Sequence, residues 1–183
     1  GRVLQVGPGR PFATPADAAR AARSGDTVEI DAGAYPSGSA LWPQDRLTIR
    51  GVGASPADRA RITASPRGIE DRDVWLLTGD DVRIENIEIS GARAGSSRNG
   101  AAIRHMGRNL VLRNVYLHDN ENGLLTGDRA PESEVLIEHS EFADNGFGDG
   151  LSHNIYVGRA ASRLLQGRWR SRPYSRLTRP PSG

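Results

Sequence analysis

Short runs that alternate between apolar and polar residues fill most of the chain, and three of them align with one another. They span residues 82–89, 110–117 and 135–142, at offsets of 28 and 25 residues. In the first two, the apolar positions alternate as in a β-strand, skip one residue at Asn86 or Asn114, and alternate again. Since a strand has a strict period of two, the skipped residue predicts a corner, and Asn tolerates the left-handed backbone of a corner.

The repeated runs predict a parallel β-helix. Each unit of about 25 residues has two strands and a bend, and no helix separates the copies, which excludes a doubly wound sheet. Stacking at about 4.8 Å places Glu85, Arg113 and Glu138 in one outward column of alternating charge, and the two corner asparagines over one another. Residues 47–52 form an earlier, shorter copy. We therefore predict an all-β fold of about five coils.

One helix is predicted ahead of the repeats, over residues 15–23. Thr14 is suited to be its N-cap, Pro15 takes the first helical position, and Asp17 faces the positive end of the helix dipole. Gly25 is suited to end the helix with a left-handed backbone. The helix is expected to cap the β-helix by covering the open edge and apolar interior of the first coil.

Composition excludes several kinds of chemistry. The chain has no Cys and no Lys, and all of its 24 basic residues are Arg. Disulfides, thiol catalysis and Schiff-base lysines are therefore excluded. Zinc is not expected, because no two His residues have helical metal-ligand spacing. No run approaches the roughly 18 to 20 apolar residues of a membrane span, so no membrane partner is predicted.

The charge is unevenly divided along the chain. Residues 1–158 hold 17 Arg against 22 acidic residues, a net charge of −5, whereas residues 159–183 hold seven Arg and no acidic residue, a net charge of +7. We divide the chain into an N-terminal strand and capping helix (1–25), a parallel β-helix (26–165) and a disordered, basic Arg/Pro-rich tail (166–183). Nucleic-acid binding would depend on the tail alone, so it is not expected.

Three explanations of the tail are open. It binds an acidic polymer, either nucleic acid or polyuronate; it is a poor C-terminal cap; or it is the product of a shifted reading frame that truncates the β-helix after residue 158. We favour the third, because the repeat is lost abruptly and the Arg-rich, Lys-free composition suggests a GC-rich gene. Truncation would leave an open edge and apolar interior near residues 155–165, which predicts self-association through that end.

Several motifs together resemble the pectin-lyase-like right-handed parallel β-helix repeat proteins of bacteria. The resemblance covers residues 3–158 and implies a right-handed coil. It does not choose a reaction, because this superfamily includes lyases, hydrolases, epimerases and phage tail fibres. The motifs are Gly7-Pro8-Gly9-Arg10-Pro11-Phe12, the Ala-rich helix, Gly25-Asp26-Thr27-Val28-Glu29-Ile30 with Gly33-Ala34-Tyr35, Leu47-Thr48-Ile49-Arg50-Gly51-Val52-Gly53, Asp119-Asn120-Glu121-Asn122-Gly123 and His153-Asn154-Ile155-Tyr156-Val157-Gly158.

Two Asp-Asn pairs indicate a candidate metal site. Asp119 and Asp144 are 25 residues apart, so their carboxylates should lie one coil apart at the same corner. Glu121, Asp128 and Asp149 would add oxygens nearby, and hard oxygen ligands suit calcium, the one cofactor that the residues suggest. The alternative is that each Asp-Asn pair only makes the turn after its strand.

A second cluster follows a Gly-rich loop. His153, Tyr156 and Asp149 are the predicted catalytic residues, since a loop-borne His beside an acid suits proton transfer. If Ile155 and Val157 point inward, alternation exposes Asn154 and Tyr156; His153 would then sit at a corner, where a structural role competes with catalysis. The predicted substrate-binding residues are Asn122, Asn154 and His118.

Enzymes that share this fold suggest two reactions, but their motifs do not decide between them. Pectate lyases remove a uronate proton with an Arg and use calcium, but no Arg of this chain is singled out by a lyase motif. Mannuronan epimerases carry Asp-Pro-His-Asp, whereas this chain has His118-Asp119 without the preceding Asp-Pro. Trp42 and Trp75 are candidates for stacking on sugars, although the apolar run around Trp75 favours burial.

The resemblance and the candidate residues lead to one functional hypothesis with a rival. The hypothesis is a polysaccharide-active β-helix protein, a lyase or epimerase acting on a uronate-containing polysaccharide outside the cytoplasm, in a secreted or periplasmic setting. Its partner would be an acidic polysaccharide. The rival is a non-catalytic β-helix module that binds carbohydrate or takes part in assembly.

Overall fold

The structure is a computed structural model that describes residues 1–55, 57–127, 133–146, 152–158 and 170–171. Within these ranges the chain passes through three parallel sheets, A, B and C, once in every turn. The first half of the chain contains β1 (Val3–Val6), α1 (Pro15–Ala21), β2 (Thr27–Asp31), β3 (Gly33–Tyr35), β4 (Ala40–Trp42), β5 (Thr48–Val52), β6 (Ala60–Thr63), β7 (Trp75–Leu77), β8 (Val82–Glu85) and β9 (Ile87–Ser90).

The second half continues the same order of strands. A short 3₁₀-helix, Gly95–Ser97, precedes the third strand of its coil. The remaining strands are β10 (Ala101–His105), β11 (Leu110–Arg113), β12 (Tyr116–His118), β13 (Asn122–Thr126), β14 (Val135–Glu138), β15 (Glu141–Ala143), β16 (Ile155–Tyr156) and β17 (Arg170–Ser171).

Each sheet collects one strand from every coil. Sheet A has the order β1-β2-β5-β8-β11-β14, sheet B the order β3-β6-β9-β12-β15-β17, and sheet C the order β4-β7-β10-β13-β16. Every neighbouring pair is parallel, and the described residues complete five coils, from β2–β4 to β14–β16. The chain is therefore an all-β, right-handed parallel β-helix, and the predicted fold and number of coils are confirmed.

The register confirms the alignment of the repeats. Val82, Leu110 and Val135 are direct partners across β8, β11 and β14. Their inward side chains, with those two residues further along each strand, are at most 1% exposed. Stacking identical inward positions from successive coils builds one continuous apolar interior, which is the main source of stability in a solenoid.

The corner between sheets A and B also follows the prediction. Asn86, Asn114 and His139 have φ values of 56°, 51° and 48°. The Asn114 Nδ2 donates to Asn86 Oδ1 at 2.9 Å, which makes the predicted amide ladder. Beside it, Arg113 lies 2.7 Å from Glu138 and 3.6 Å from Glu85, so the charged column is confirmed. Such exposed pairs contribute about 1 kcal/mol at most, so the column specifies register more than stability.

Sheet C was not predicted, because its strands do not alternate. The sequence indicated two strands and a bend in each unit, whereas each coil has three strands. In β7 all three residues, Trp75–Leu77, are buried, and in β10 only Arg104 is partly exposed. The outward residues Leu76 and Leu125 are only 4% and 7% exposed, so both faces of their strands favour apolar residues and the period of two disappears.

The helix caps the first coil as expected, but it is shorter than predicted. The Thr14 hydroxyl accepts from the Asp17 N–H at 3.2 Å, confirming the N-cap. The helix ends at Ala21, and the C-cap Ala22 has an extended backbone, so the predicted end at residue 23 with Gly25 as terminator is wrong. The Asp26 carboxylate accepts from the Arg23 N–H at 2.9 Å and holds this segment in a turn.

The side chain of Gln44 connects the helix to the first coil by hydrogen bonds. Gln44 follows β4, and its Nε2 donates to the carbonyl oxygens of Ala19 at 2.8 Å and Ala22 at 3.2 Å. These bonds satisfy carbonyls at the C-terminal end of the helix, while Ala18 and Ala19 are buried in the apolar core. The helix therefore covers the N-terminal end of the β-helix.

Little of the tail falls within the described residues. Arg170 and Ser171 extend sheet B, where Arg170 is the partner of Glu141. The rest of the tail lies outside them, so the domain division, the disorder of residues 166–183 and self-association through the C-terminal end stay predictions. Within the described part of the chain, no helix has the length and apolar character needed to cross a bilayer.

One buried histidine gives the fold an acid sensitivity. His105 is 1% exposed, with its Nε2 3.2 Å from the Gly79 carbonyl oxygen. Burial lowers the pKa of His105 from 6.5, although the Gly79 carbonyl and Asp80 act in the opposite direction. The unfolded state thus binds more protons below pH 6.5, and we expect the free energy of unfolding to fall as the pH decreases from there towards the folded-state pKa.

Urea unfolding midpoints measured between about pH 7.5 and pH 5 test this expectation. A His105→Gln variant keeps an N–H donor for Gly79 but has no group that titrates in this range, so its decline should be shallower. Superimposable declines for the two proteins would show that His105 makes no contribution.

Candidate functional site

The outer face of sheet C differs from the outer faces of the other two sheets. Its outward column consists of Leu41, Leu76, Arg104, Leu125 and Tyr156, which are register partners on five successive strands. It is an apolar column with one cation in the middle. The corresponding outward columns are polar in sheet A (Glu29, Arg50, Glu85, Arg113, Glu138) and in sheet B (Arg61, Glu88, Tyr116, Glu141).

A pocket of about 230 Å³ opens on the C-terminal half of this face. It brings together three residues predicted from the sequence, Asn122, His153 and Tyr156, and we call it the sheet C pocket. Its lining residues are Asn99, Arg104, Asn122, Leu125, Thr126, His153 and Tyr156.

Arg104 is the only charged residue among those that line the sheet C pocket, and it is held rigidly. Its Nε donates to Asp73 Oδ2 at 2.8 Å, and its Nη2 donates to the Asn99 carbonyl oxygen. Asp73 is fully buried, and its other oxygen accepts from the Ala101 N–H at 3.0 Å. Among the described residues, none accepts a hydrogen bond from the Arg104 Nη1. The guanidinium is therefore fixed in place with donors left for an anionic ligand.

Asn122 holds the backbone of His153 at the pocket. It is 1% exposed, its Oδ1 accepts from the His153 N–H at 2.8 Å, and its Nδ2 donates to the Gly100 carbonyl at 3.2 Å. The rings of His153 and Tyr156 stack with their centroids 5.5 Å apart. Asp149, the third predicted catalytic residue, lies outside the described residues. The pocket thus combines the Arg104 cation with a stacked aromatic pair that carries an imidazole and a phenol.

Asn154 is buried beside the pocket, and the expectation that alternation exposes it is wrong. It is 3% exposed, and it belongs to a second amide ladder with Asn120 and Asn145. Asn120 Nδ2 donates to Asn145 Oδ1 at 2.9 Å, and Asn145 Nδ2 donates to Asn154 Oδ1 at 2.8 Å. The strict alternation fails because residue 154 still belongs to the corner that precedes β16. Asn154 therefore supports the wall of the pocket from within.

The predicted metal residues lie at the corner between sheets B and C. Asp119 and Asp144 both have φ of 52°, both are exposed, and the β12–β15 register stacks them one coil apart. This is the geometry of turn residues. Among the described residues, no group of three or more His, Asp or Glu side chains is arranged to hold a metal ion. Two exposed carboxylates alone do not fit calcium, and Asp128 and Asp149 lie outside the described residues, so calcium stays a prediction.

His118 lies on sheet B, away from the sheet C pocket. Its Nδ1 is 2.6 Å from Asp119 Oδ2, its Nε2 is 3.0 Å from Glu88 Oε1, and its ring stacks on Tyr116 at 4.1 Å. Burial, with help from the carboxylate of Glu141 and other nearby acids, raises the pKa of Tyr116 above its ordinary value. The predicted substrate-binding residues therefore do not form a single site.

A second pocket, of about 380 Å³, lies at the N-terminal end of the fold beside β3. Its charged groups are already paired, because Arg10 makes two bonds to the Asp31 carboxylate at 2.8 and 3.1 Å. The Tyr35 hydroxyl donates to the Asp31 carbonyl at 2.9 Å. The two tryptophans give no sugar platform either, since Trp42 and Trp75 are fully buried and pack edge to face. The sheet C pocket is the better candidate for a ligand-binding site, because the Nη1 of Arg104 has no hydrogen-bond acceptor among the described residues.

Sequence reasoning missed both Arg104 and Asp73. The sequence did contain a signal for Arg104. This charged residue directly follows the apolar run Ala101-Ala102-Ile103 and precedes the buried His105. Nothing in the sequence links Arg104 to Asp73, which is 31 residues earlier. Their contact depends on the stacking of β10 on β7, which is a tertiary property.

The three stacked parallel sheets define the chain as a right-handed parallel β-helix protein. It is similar to the solved structure of pectin methylesterase PemA from Erwinia chrysanthemi, with a TM-score of 0.59 and 14% sequence identity. The match covers 77% of this chain and 49% of that one, so this chain spans about half of its length. At this identity the likeness shows the fold alone. No protein-family model matches the chain, and no curated protein matches it significantly.

Proposed function

We propose that the sheet C pocket binds a uronate unit of an acidic polysaccharide and that the protein acts on this polymer as a lyase or an epimerase. The observation that carries the proposal is Arg104, whose guanidinium is fixed by a buried carboxylate and keeps its Nη1 without a partner among the described residues. A uronate carboxylate is a planar anion that matches such a fork of donors. The similarity in fold to a pectin methylesterase supports a polysaccharide as the ligand.

The chemistry follows from what an arginine does to a bound carboxylate. Removal of the proton on the carbon next to the carboxylate leaves negative charge on the carboxylate oxygens, and the Arg104 cation stabilises that charge. A lyase then breaks the bond to the neighbouring sugar oxygen, which takes up a proton. An epimerase instead returns a proton to the opposite face of the same carbon. Both reactions need a group that accepts a proton and a group that donates one.

His153 and Tyr156 are the proton-transfer groups in this proposal. Both line the sheet C pocket with Arg104, and their backbone is held by Asn122 and by the pairing of β16 with β13. Imidazole and phenol groups are ordinary acids and bases of enzymes. A polymer of this kind lies outside the cytoplasm, so we propose a secreted or periplasmic location.

A binding module without catalysis is the second candidate, and one observation favours it. None of the described residues that line the sheet C pocket is an Asp or Glu. Carbohydrate enzymes that use acid and base groups commonly rely on carboxylates, so this pocket holds fewer proton-transfer groups than most. Arg104 and the aromatic pair would still bind a uronate by charge and stacking.

The test is to incubate the protein with polygalacturonate or alginate, with and without calcium, and to follow the ultraviolet absorbance of the unsaturated product. Proton NMR of the recovered polymer detects epimerisation. We expect the His153→Ala and Tyr156→Phe variants each to lose about 100-fold in rate, the usual contribution of a general acid or base. The exposed corner variant His139→Asn is the control and should keep the wild-type rate.

Binding measurements separate the two candidates. An Arg104→Lys variant keeps a cation beside Asp73 but loses the planar fork, so it should bind the polymer more weakly while remaining folded by circular dichroism. Polymer binding that depends on Arg104, without any product, supports the binding module. Absence of polymer binding by the wild-type protein overturns both candidates.

A further inference from the structure

A second buried carboxylate lies next to the sheet C pocket, and the proposed chemistry does not use it. Glu121 immediately precedes β13 and is 2% exposed. Its Oε2 accepts from the Gly100 N–H at 2.7 Å and from the Ala94 N–H at 2.9 Å. These two bonds hold both ends of the loop that runs from Ala94 to Gly100 in the preceding coil. A buried carboxylate that accepts from backbone N–H groups fixes the local backbone geometry.

That loop contributes to the sheet C pocket and holds its cation. Asn99 lines the pocket, and its carbonyl oxygen accepts from the Arg104 Nη2. The N–H of Ala101 donates to Asp73, the carboxylate that also holds Arg104. The N–H groups of two successive residues at the end of the loop are therefore held by two buried carboxylates, Glu121 from the following coil and Asp73 from the preceding one.

The end of the loop also supports the residue that holds His153. The Gly100 carbonyl oxygen accepts from the Asn122 N–H at 2.8 Å and from its Nδ2 at 3.2 Å. Asn122 Oδ1 accepts in turn from the His153 N–H at 2.8 Å. The packing at Gly100 leaves no room for a side chain, because an added Cβ would lie 2.7 Å from the Arg72 carbonyl oxygen. The backbone at Gly100 thus connects the loop that holds Arg104 to the contacts of His153.

We infer that Glu121 is a positioning residue for the sheet C pocket, which sets where Arg104 and His153 lie relative to one another. The inference rests on the proposed function of this pocket, and Glu121 itself is not among the residues that line it. Without the carboxylate the Gly100 N–H would lose its acceptor, and a buried N–H without an acceptor is costly. The loop would then shift, and its hydrogen bonds would carry that shift to both pocket residues.

Calorimetric titration with polygalacturonate or alginate measures the effect on binding. We expect Glu121→Ala to weaken polymer binding about tenfold, since it leaves two buried N–H groups without their acceptor. Glu121→Gln should stay within about twofold of the wild type, because both bonds go to one oxygen that the amide oxygen can replace. Glu121→Asp keeps the charge on a side chain that is one methylene shorter, so it should resemble the alanine variant. The comparison of Asp with Gln decides alone if circular dichroism shows that the alanine variant is unfolded.

Ser140→Ala is the matched control, because it also removes a buried acceptor of a backbone N–H, but at the corner between sheets A and B. Ser140 is 3% exposed, and its Oγ accepts from the Val115 N–H at 3.1 Å. This variant should lose stability in urea and yet bind the polymer as the wild type does. An equal loss of affinity in Ser140→Ala and Glu121→Ala would reflect lower stability alone and would overturn the inference.

Amide hydrogen exchange followed by NMR tests the positioning without any ligand. In Glu121→Ala the N–H groups of Gly100 and His153 should both exchange about tenfold faster, although His153 is bonded to Asn122 rather than to Glu121. In Ser140→Ala both should keep their wild-type rates. An unchanged His153 rate in Glu121→Ala overturns the inference while the proposed function stands. Wild-type protein that binds no polymer overturns the proposed function instead, and the exchange rates still decide whether Glu121 positions His153.

Discussion

Replacing Asp73 by Asn should destabilise the protein by about 3 kcal/mol and weaken polymer binding at the same time. Asp73 is fully buried and accepts from Arg104 and Arg72, as well as from the Ala101 N–H. The amide removes the negative charge that neutralises Arg104, whose side chain is only 11% exposed. Removing one partner of a buried ion pair leaves the other charge uncompensated, which is among the costly single changes in a protein.

Urea denaturation gives the change in the free energy of unfolding, and calorimetric titration with polyuronate gives the change in affinity. The control is Glu70→Gln in the same loop, since Glu70 pairs with Arg72 but its side chain is 58% exposed. We expect that control to stay within about 0.5 kcal/mol of the wild-type protein. An Asp73→Asn protein that unfolds within about 1 kcal/mol of the wild type would contradict the assigned role of this ion pair.

Converting Asn145 to Asp should be at least as damaging at neutral pH, with a loss of about 3 kcal/mol or more. The Asn145 amide is completely used. Its Oδ1 accepts from the N–H and the Nδ2 of Asn120, and its Nδ2 donates to the Leu117 carbonyl and to Asn154. A carboxylate at this fully buried position would place its second oxygen against two acceptors.

Acid should partly rescue the Asn145→Asp variant. Once protonated, the introduced carboxyl group regains one donor, so the difference in stability between variant and wild type should shrink as the pH falls. Unfolding midpoints in urea at a series of pH values measure that difference. Asp144→Asn, at the exposed neighbouring position, is the control and should be nearly neutral, because Asn also tolerates the positive φ of this corner. A deficit that does not change with pH would rule out the proposed protonation.

Sequence reasoning predicted two of the three sheets and missed the third. The alignment of residues 82–89, 110–117 and 135–142 predicted sheets A and B, their register and the Asn86–Asn114 ladder. It succeeded there because one face of each strand is solvated, so burial leaves an alternating pattern in the sequence. It missed sheet C, in which a strand such as β7 is buried on both faces and so resembles any short buried segment.

The candidate site was predicted only in part, for a related reason. Asn122, His153 and Tyr156 belong to recognisable motifs, and they do line the sheet C pocket. His118, Asp119 and Asp144 belong to equally suggestive motifs, but they lie on sheet B or at its corner. A motif shows which chemistry a residue can perform, whereas the direction in which its side chain points depends on the coil that carries it.

The sequence by itself determined the coil, because a repeated local pattern is enough to specify a solenoid in which each unit contacts mainly its neighbours. It also determined the N-terminal helix and the corners, which depend on nearby residues such as Thr14 and Asn86. Only the tertiary structure decided where chemistry can occur. Arg104 becomes a rigid cation through Asp73, 31 residues away, and a buried ion pair leaves no periodic trace in the sequence because its two partners meet across stacked coils.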